Sequence, residues 1–325
     1  NLMTNNGSQS DTATRNVFIA GRQHSGNTLT TYIVGRMPGC LRVDNEDVFF
    51  DWRRTIDQQT DAGTRAEMVG EHLKLEGADR QAEIARDLKE WAKENPAVDA
   101  LSMYRWAMNE ALARTNCSWW ARKATSYVFF AKEILRDMDD VRIVYLVRNP
   151  FDVAASKKRR NPREERIVGW THSWNRGVQT ARKLEAEDPD RFRVVCYERL
   201  IHQPQRALEE LCDFLNVPFD EKYLDVPHIN PSEKQFEIVE GSRGFTGSRV
   251  FYYGENLTAG EISAIDRLAD RSALDAFYEH LPHRDNAPTL AARLAGVGLI
   301  IAGPFRYLLQ RIQWARRQGL SPWMY

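Results

Sequence analysis

Residues 142–147 read Arg-Ile-Val-Tyr-Leu-Val, a run of β-branched and aromatic side chains with no polar alternation after the first residue. A strand with water on one face alternates apolar and polar positions, so a run like this is buried on both faces. Such a strand needs helices above and below it, which is the arrangement of a parallel sheet in an α/β protein. Further expected strands occur at 16–20, 41–43, 119–125, which ends in polar residues, and 191–197. Helical stretches fall between or after them: 167–187, 204–215 opened by Pro204, and two short ones over roughly 258–281. Pro150 sits where a first helical residue needs no N–H. The reading is α/β, a three-layer sandwich around a central parallel sheet. Ligands of such sheets bind beyond the carboxyl ends of the strands.

The first strand runs into Gly21-Arg22-Gln23-His24-Ser25-Gly26-Asn27-Thr28-Leu29 and then into a helix stopped by Pro38-Gly39. A strand, a glycine-punctuated turn and a helix N-terminus together make an anion site, because the first N–H groups of a helix lack partners and the dipole favours negative charge there. Gly26 allows close approach to the backbone, and Ser25 and Thr28 add hydroxyl donors. The loop lacks the Gly-Lys-Ser/Thr ending of a Walker A motif, which disfavours an ordinary ATP or GTP site. A turn without a ligand is the other reading of the loop taken alone. Glu46, Lys123 and Arg148 each fall just after an expected strand, so one crevice can hold them with the loop.

Between the second and third strands, about 60–115 is helical with alternating charges and longer than a crossover needs, which reads as an inserted helical cap. Residues 228–257 read as loop-rich, with Gly241, Gly244, Gly247 and Gly254. Residues 1–15 are polar, read as disordered, and carry no signal-peptide core; Met3 is expected to be the natural start. With 45 basic and 45 acidic residues no global field points to nucleic acid. Four cysteines, Cys40, Cys117, Cys196 and Cys212, lie far apart without a CxxC pair. That suits free thiols in a reducing, cytoplasmic compartment and no zinc site. No apolar run is long enough to span a bilayer.

Taken together, most of residues 16–281 resembles the sulfotransferases that use 3′-phosphoadenosine 5′-phosphosulfate (PAPS). The loop, from Gln23 through His24, Ser25, Gly26, Asn27 and Thr28 to Leu29, resembles that family's 5′-phosphosulfate loop. The stretch Arg142 to Ser156 resembles its 3′-phosphate segment, which implies that Arg148 and Ser156 grip the phosphate. Val195-Cys196-Tyr197-Glu198-Arg199-Leu200 resembles the stretch whose Tyr contacts adenine, here Tyr197. Ser242-Arg243-Gly244 resembles the loop that closes over the 3′-phosphate. Asn45-Glu46-Asp47-Val48-Phe49-Phe50-Asp51-Trp52 is similar to the catalytic stretch of heparan sulfate glucosaminyl sulfotransferases. That similarity implies Glu46 as base and Asp51 and Trp52 at the acceptor. Lys123 matches the family's catalytic-site lysine, and His24 stands where the family usually has Lys or Arg. The heparan enzymes' disulfide has no counterpart, and the middle and end of the chain look more like the bacterial and tyrosyl-protein sulfotransferases.

The resemblance implies in-line sulfuryl transfer, dominated by positioning and electrostatics, with Glu46 as base, His24 and Lys123 neutralising the leaving oxygen, and no metal. The acceptor is expected to be a hydroxyl, or less readily an amine, of a carbohydrate, lipid-linked or small molecule. Two alternatives stay open from the residues: a P-loop-like small-molecule kinase, and a non-catalytic nucleotide-binding module associated with a membrane. A kinase needs a loop lysine and a magnesium carboxylate, and Asp139 and Asp140 precede their strand. The acidic run at 44–47 also reads as a solvated loop, and Lys157-Lys158-Arg159-Arg160 as a solvated face. Trp170 and Trp174, one turn apart, read as packing.

The division is thus 1–15, a sulfotransferase domain over 16–286, and a tail over 287–325. The tail mixes apolar and aromatic residues with five arginines and no carboxylate. It reads either as a peripheral membrane segment or as a terminal helix packed on the domain or on a second copy in a homodimer.

Overall fold

The computed structural model describes residues 16–160, 166–232 and 235–317, with side chains except at 228–243, 304 and 306–317. β1 (Asn16–Gly21) leads through the glycine loop into α1 (Asn27–Val34), and Gly35 caps that helix. β2 (Cys40–Val43) is followed by four helices: α2 (Phe49–Asp57), α3 (Ala62–Leu73), α4 (Ala78–Glu94) and α5 (Ala100–Ala113). The starts of α3 and α5 are set locally. The side chain of Asp61 accepts from the Thr64 N–H and that of Asp99 from the Ser102 N–H, each satisfying a first-turn donor. α4 buries Ile84, Leu88 and Ala92, one residue per turn along a single stripe.

β3 (Trp119–Lys123), α6 (Ala131–Asp137), β4 (Val141–Val147), α7 (Pro150–Arg160) and α8 (Ile167–Glu187) come next. After them the chain forms β5 (Phe192–Cys196), α9 (Tyr197–His202) and α10 (Pro204–Leu215). The five strands pair in the order β2-β3-β1-β4-β5, all parallel. The expected three-layer architecture is present. Period-two alternation divides each strand between two cores. Phe18, Ala20, Trp120, Ile143, Tyr145 and Val147 face α2–α8, while Val17, Ile19, Trp119, Ala121, Val144 and Leu146 face α1 and α10. Both faces of β4 are therefore covered, as its run of residues requires.

The helices inserted between β2 and β3 belong to the first core. Phe49 stacks on Tyr104 with centroids 4.4 Å apart, and Phe18 meets Trp120 and Tyr127 at 4.9 and 5.0 Å. Arg53 ties α2 to α6 through Glu133 and Asp137, at 2.9 and 2.7 Å.

The stretch expected to be loop-rich differs in its first half. β6 (Pro227–Ser232) and β7 (Gln235–Arg243) pair antiparallel as a separate ribbon. The glycines signalled loops correctly only from Gly244 on; alternating Phe236 and Ile238 mark the strand they obscured. α11 (Ala259–Leu268), opened by a Thr258–Glu261 capping box, and α12 (Arg271–Phe277) complete the domain. α13 (Leu290–Arg317) then lies on α11 and α8. Gly296 makes that crossing possible: an added Cβ would stand 3.0 Å from the Gly260 carbonyl oxygen and the Ser263 hydroxyl. Among the described residues no helix is long and apolar enough to cross a membrane. All four cysteines are free.

Candidate active site

The loop between β1 and α1 is shaped by residue 26. Gly26 has φ 98°, and a Cβ there would lie 2.5 Å from the Tyr197 ring, so conformation and space both exclude a side chain. As the N-cap of α1 it offers no side-chain acceptor, and the first-turn N–H groups are left open to a ligand. Asn27 is turned inward. Its amide donates to the Gly21 carbonyl at 2.8 Å, bracing the loop, while its Oδ1 is buried without a partner. Ser25 is buried, Thr28 and Leu29 are half-buried, and Gln23 is exposed at the tip.

His24 takes φ 72°, a conformation a non-glycine residue adopts only when held there. Two groups hold it: Arg148 Nη1 donates to its carbonyl at 2.8 Å, and Ser156 Oγ lies 3.0 Å from its Nδ1. The strand-end arginine and the serine on α7 thus converge on residue 24. Arg148 is buried, donates also to the Arg249 carbonyl, and lies 4.6 Å from the Tyr197 ring centroid. Its Nε is buried without a partner. Trp174 Nε1 donates to the Arg148 carbonyl at 2.8 Å, so this tryptophan fixes the strand end as well as packing. Next to it Asn149 donates to Glu198 and Asp152, both at 2.8 Å, and Asp152 accepts the N–H groups of Phe251 and Tyr253. A buried polar lattice therefore ties the end of β4, the start of α9 and the 249–253 segment behind the loop.

Burial lowers the His24 pKa to about 3, and the charges of Arg160, Lys157, Arg148 and Arg159 act the same way. In the donor-free protein that burial and positive field favour the neutral imidazole. In the unfolded chain the ring takes its proton near 6.5, so between these values the unfolded state binds more protons and stability falls as pH falls. We expect donor-free His24→Asn to lose about 2 kcal/mol less than the parent between about pH 7 and pH 5. Urea unfolding at the two pH values checks this; parallel losses in both proteins would place the ring's pKa near its ordinary value.

On the other side of the loop, the Thr125 N–H donates to Glu46 Oε1 at 3.3 Å. The Asp47 N–H donates to the Lys123 carbonyl at 2.7 Å, so the segment carrying Glu46 is pinned to the end of β3. Asp51 accepts from the Ser126 hydroxyl at 2.8 Å; burial raises its pKa, and Asp47 and Glu46 push it the same way. Trp52 is 41% exposed and stacks on His72, centroids 5.2 Å apart. Arg22 is half-buried, 5.7 Å from the Phe129 ring, which Arg176 also approaches at 5.1 Å. Burial lowers the Arg22 pKa; Arg176 acts with burial, while Tyr145 and Glu46 act against it. A guanidinium remains charged regardless.

Glu46, Lys123, Asp51 and Trp52 thus gather beyond β2 and β3, and His24, Arg148, Ser156 and Tyr197 beyond β1, β4 and β5. The side chains of Ser242 and Arg243 lie outside those described. Gly244 follows the ribbon, donating to the Val226 carbonyl at 2.7 Å; the Arg249 carbonyl accepts from Arg148. Burial lowers the Arg249 pKa and Arg159 adds to the effect, marking it as one more cation of this cluster. Asp47 is a further residue of the site, one that reads as solvated in the sequence. Its carboxylate is fully buried, 3.0 Å from Arg122 Nη1, and accepts from the hydroxyls of Tyr104 and Tyr127. One signal was available: Arg122 stands inside an apolar strand, and a charge there must find a buried partner. Among the described residues no group of three His, Cys, Asp or Glu is placed to hold a metal ion.

A model of the sulfotransferase family matches residues 16–221, well over half of the chain. The chain belongs to the sulfotransferase family. Among solved structures this sulfotransferase is similar to the sulfotransferase domain of the Synechococcus PCC 7002 olefin synthase, at 19% identity over 88% of this chain and 94% of that one, with a TM-score of 0.44. It is similar also to the sulfotransferase domain from the curacin biosynthetic pathway, at 19% identity over 88% and 98%, with a TM-score of 0.46. A third similar structure is STF9 from Mycobacterium avium, at 14% identity over 82% and 78%, with a TM-score of 0.43. No curated protein matches the sequence.

Proposed function

We infer that this sulfotransferase moves a sulfuryl group from PAPS to a hydroxyl of a carbohydrate, lipid-linked or small-molecule acceptor, with Glu46 as general base. The observation that carries the reading is the loop at Gly26: open helix-start amides, walled by the Tyr197 ring, beside the cations around His24. The residues present fit a donor with two phosphate groups and an aromatic base. The α1 amides suit one phosphate group. Arg148, Lys157, Arg159 and Arg160, which together act on His24, suit the other. The orphaned Arg148 Nε and the Ser156 hydroxyl are donors at hand there, and Tyr197 offers a face for the base.

When bound, such a donor supplies the sulfuryl group, whose bond to the acceptor oxygen forms as its bond to the 5′-phosphate oxygen breaks. Glu46 takes the proton from the acceptor hydroxyl; its Oε2 is the candidate atom, since Oε1 faces the Thr125 N–H. Lys123 and His24, with Arg22 beside them, are the groups placed to neutralise charge on the leaving oxygen. His24 also holds Ser156 through Nδ1.

We expect adenosine 3′,5′-bisphosphate, at about a hundred times its Kd, to stabilise the protein by about 2.7 kcal/mol, and ATP at equal concentration far less. Thermal unfolding with each ligand reads this. Equal shifts would favour an ATP-using kinase, and transfer of label from radiolabelled PAPS to a hydroxyl or amine panel distinguishes an enzyme from a binding module.

A further inference from the structure

Seven large hydrophobic side chains are exposed among the described residues. Trp52 and Phe129 border the site. The other five, Leu290, Leu294, Val297, Ile301 and Phe305, are on α13 and are between 36% and 72% exposed. At 100° per residue they fall within an arc of about 80°. The opposite side of α13 is occupied: Ala292 and Gly296 are buried, Leu299 and Ile300 pack on the core, and Gly303 meets Val168. A helix covering a globular domain turns its apolar stripe inward and its polar face to water. α13 has small and apolar residues inward and a second apolar stripe outward.

The charge around that stripe is of one sign. Residues 287–325 hold Arg293, Arg306, Arg311, Arg316 and Arg317, and none of the chain's 45 acidic residues. The three- and four-residue spacing of the stripe runs on in the sequence at Leu308 and Ile312, with Tyr307, Trp314 and Trp323 nearby. Pairing the stripe with that of a second copy would set arginine-bearing helices side by side, with no carboxylate in either segment to separate them. An anionic lipid surface offers burial for the stripe and opposite charge for the arginines.

We propose that α13 lies in the plane of an anionic membrane surface, with Leu290, Leu294, Val297, Ile301 and Phe305 in the boundary between headgroups and acyl chains. The helix is too polar to span, so it rests on the surface and holds the sulfotransferase there. This goes beyond the donor and acceptor reading and stands independently of it.

The test is co-sedimentation of the full chain with vesicles of phosphatidylcholine alone and with added phosphatidylglycerol, at low and high salt. Binding is expected with phosphatidylglycerol at low salt, weaker by about tenfold or more without it, and reduced by salt. Leu294→Gln combined with Ile301→Gln changes two exposed side chains, so the fold and its melting temperature are expected to hold while vesicle binding falls about tenfold or more. Absence of sedimentation with anionic vesicles at low salt overturns the proposal, as does a double variant that binds as well as the parent. Light scattering without lipid is the second measurement: a dimer that the double variant converts to monomer makes the stripe a face between copies, which also overturns it.

Discussion

Glu46→Gln is expected to turn over about a hundredfold to ten-thousandfold more slowly than the parent, the range a positioned general base contributes, while its affinity for adenosine 3′,5′-bisphosphate stays unchanged. The amide keeps the size of the side chain and an oxygen for the Thr125 N–H, so the segment pinned by Asp47 to the Lys123 carbonyl keeps its place. The variant loses the ability to take a proton as the new bond forms, a transition-state contribution that leaves cofactor contacts alone. The proposed donor contacts lie on the far side of β1, at Gly26, Arg148 and Tyr197. Steady-state kcat with labelled donor and a thermal shift with the bisphosphate read the two halves separately. Near-normal kcat would move the base elsewhere, with His72, stacked on Trp52, the next group to test.

Asp47→Ala is expected to destabilise the fold by about 3–5 kcal/mol, the cost of leaving a buried charge without its partner. Both carboxylate oxygens are in use: one accepts from Tyr127 and the Phe49 N–H, the other meets Arg122 and Tyr104. Arg122 is itself fully buried, with remaining bonds to Leu73, Met108 and the Tyr104 hydroxyl that supply no negative charge. Replacing both partners with apolar residues, Asp47→Leu with Arg122→Met, is expected to recover much of the loss, because the desolvation of both charges is removed together. Urea unfolding of the three proteins measures this. A single variant within about 1 kcal/mol of the parent would mean that water reaches Arg122.

The sheet was legible because burial on both faces leaves its mark in single strands: 142–147 has no polar alternation, and β1 delivers its glycine loop directly. The helices over 167–187 and 204–215 were legible by period and by Pro204. α2 was not. Phe49, Phe50 and Ile56 do share one helical face, but over only nine residues, and the helix is also held by aromatic contacts with Phe18, Tyr104 and Tyr127 that lie far away in sequence. Asp47 shows the same limit in the site. In a run of Asp44, Glu46 and Asp47 it looks solvated, and only the fold brings Arg122 to it. The charge of His24 was equally out of reach, since it depends on burial and on four cations brought in by α7 and the end of β4.

The strand order β2-β3-β1-β4-β5 has a consequence for how such a chain can change. Apart from Lys123, everything proposed to grip the donor comes from β1 and from segments after β4 and β5, while everything proposed to meet the acceptor comes from residues 44–126, one uninterrupted stretch. That stretch leaves the sheet after β2, builds α2 to α5 and returns through β3. On the proposed reading, choice of acceptor would be written in a single cassette of chain, inserted into a frame that handles the donor. Recombination or drift within the cassette can redirect what is sulfated without a matching change at Gly26, Arg148 or Tyr197. The joint between the two parts is β3, which pairs with β2 on one side and β1 on the other, the Ala124 N–H meeting the Ile19 carbonyl at 2.9 Å. Any exchanged cassette must still present a strand that fits there.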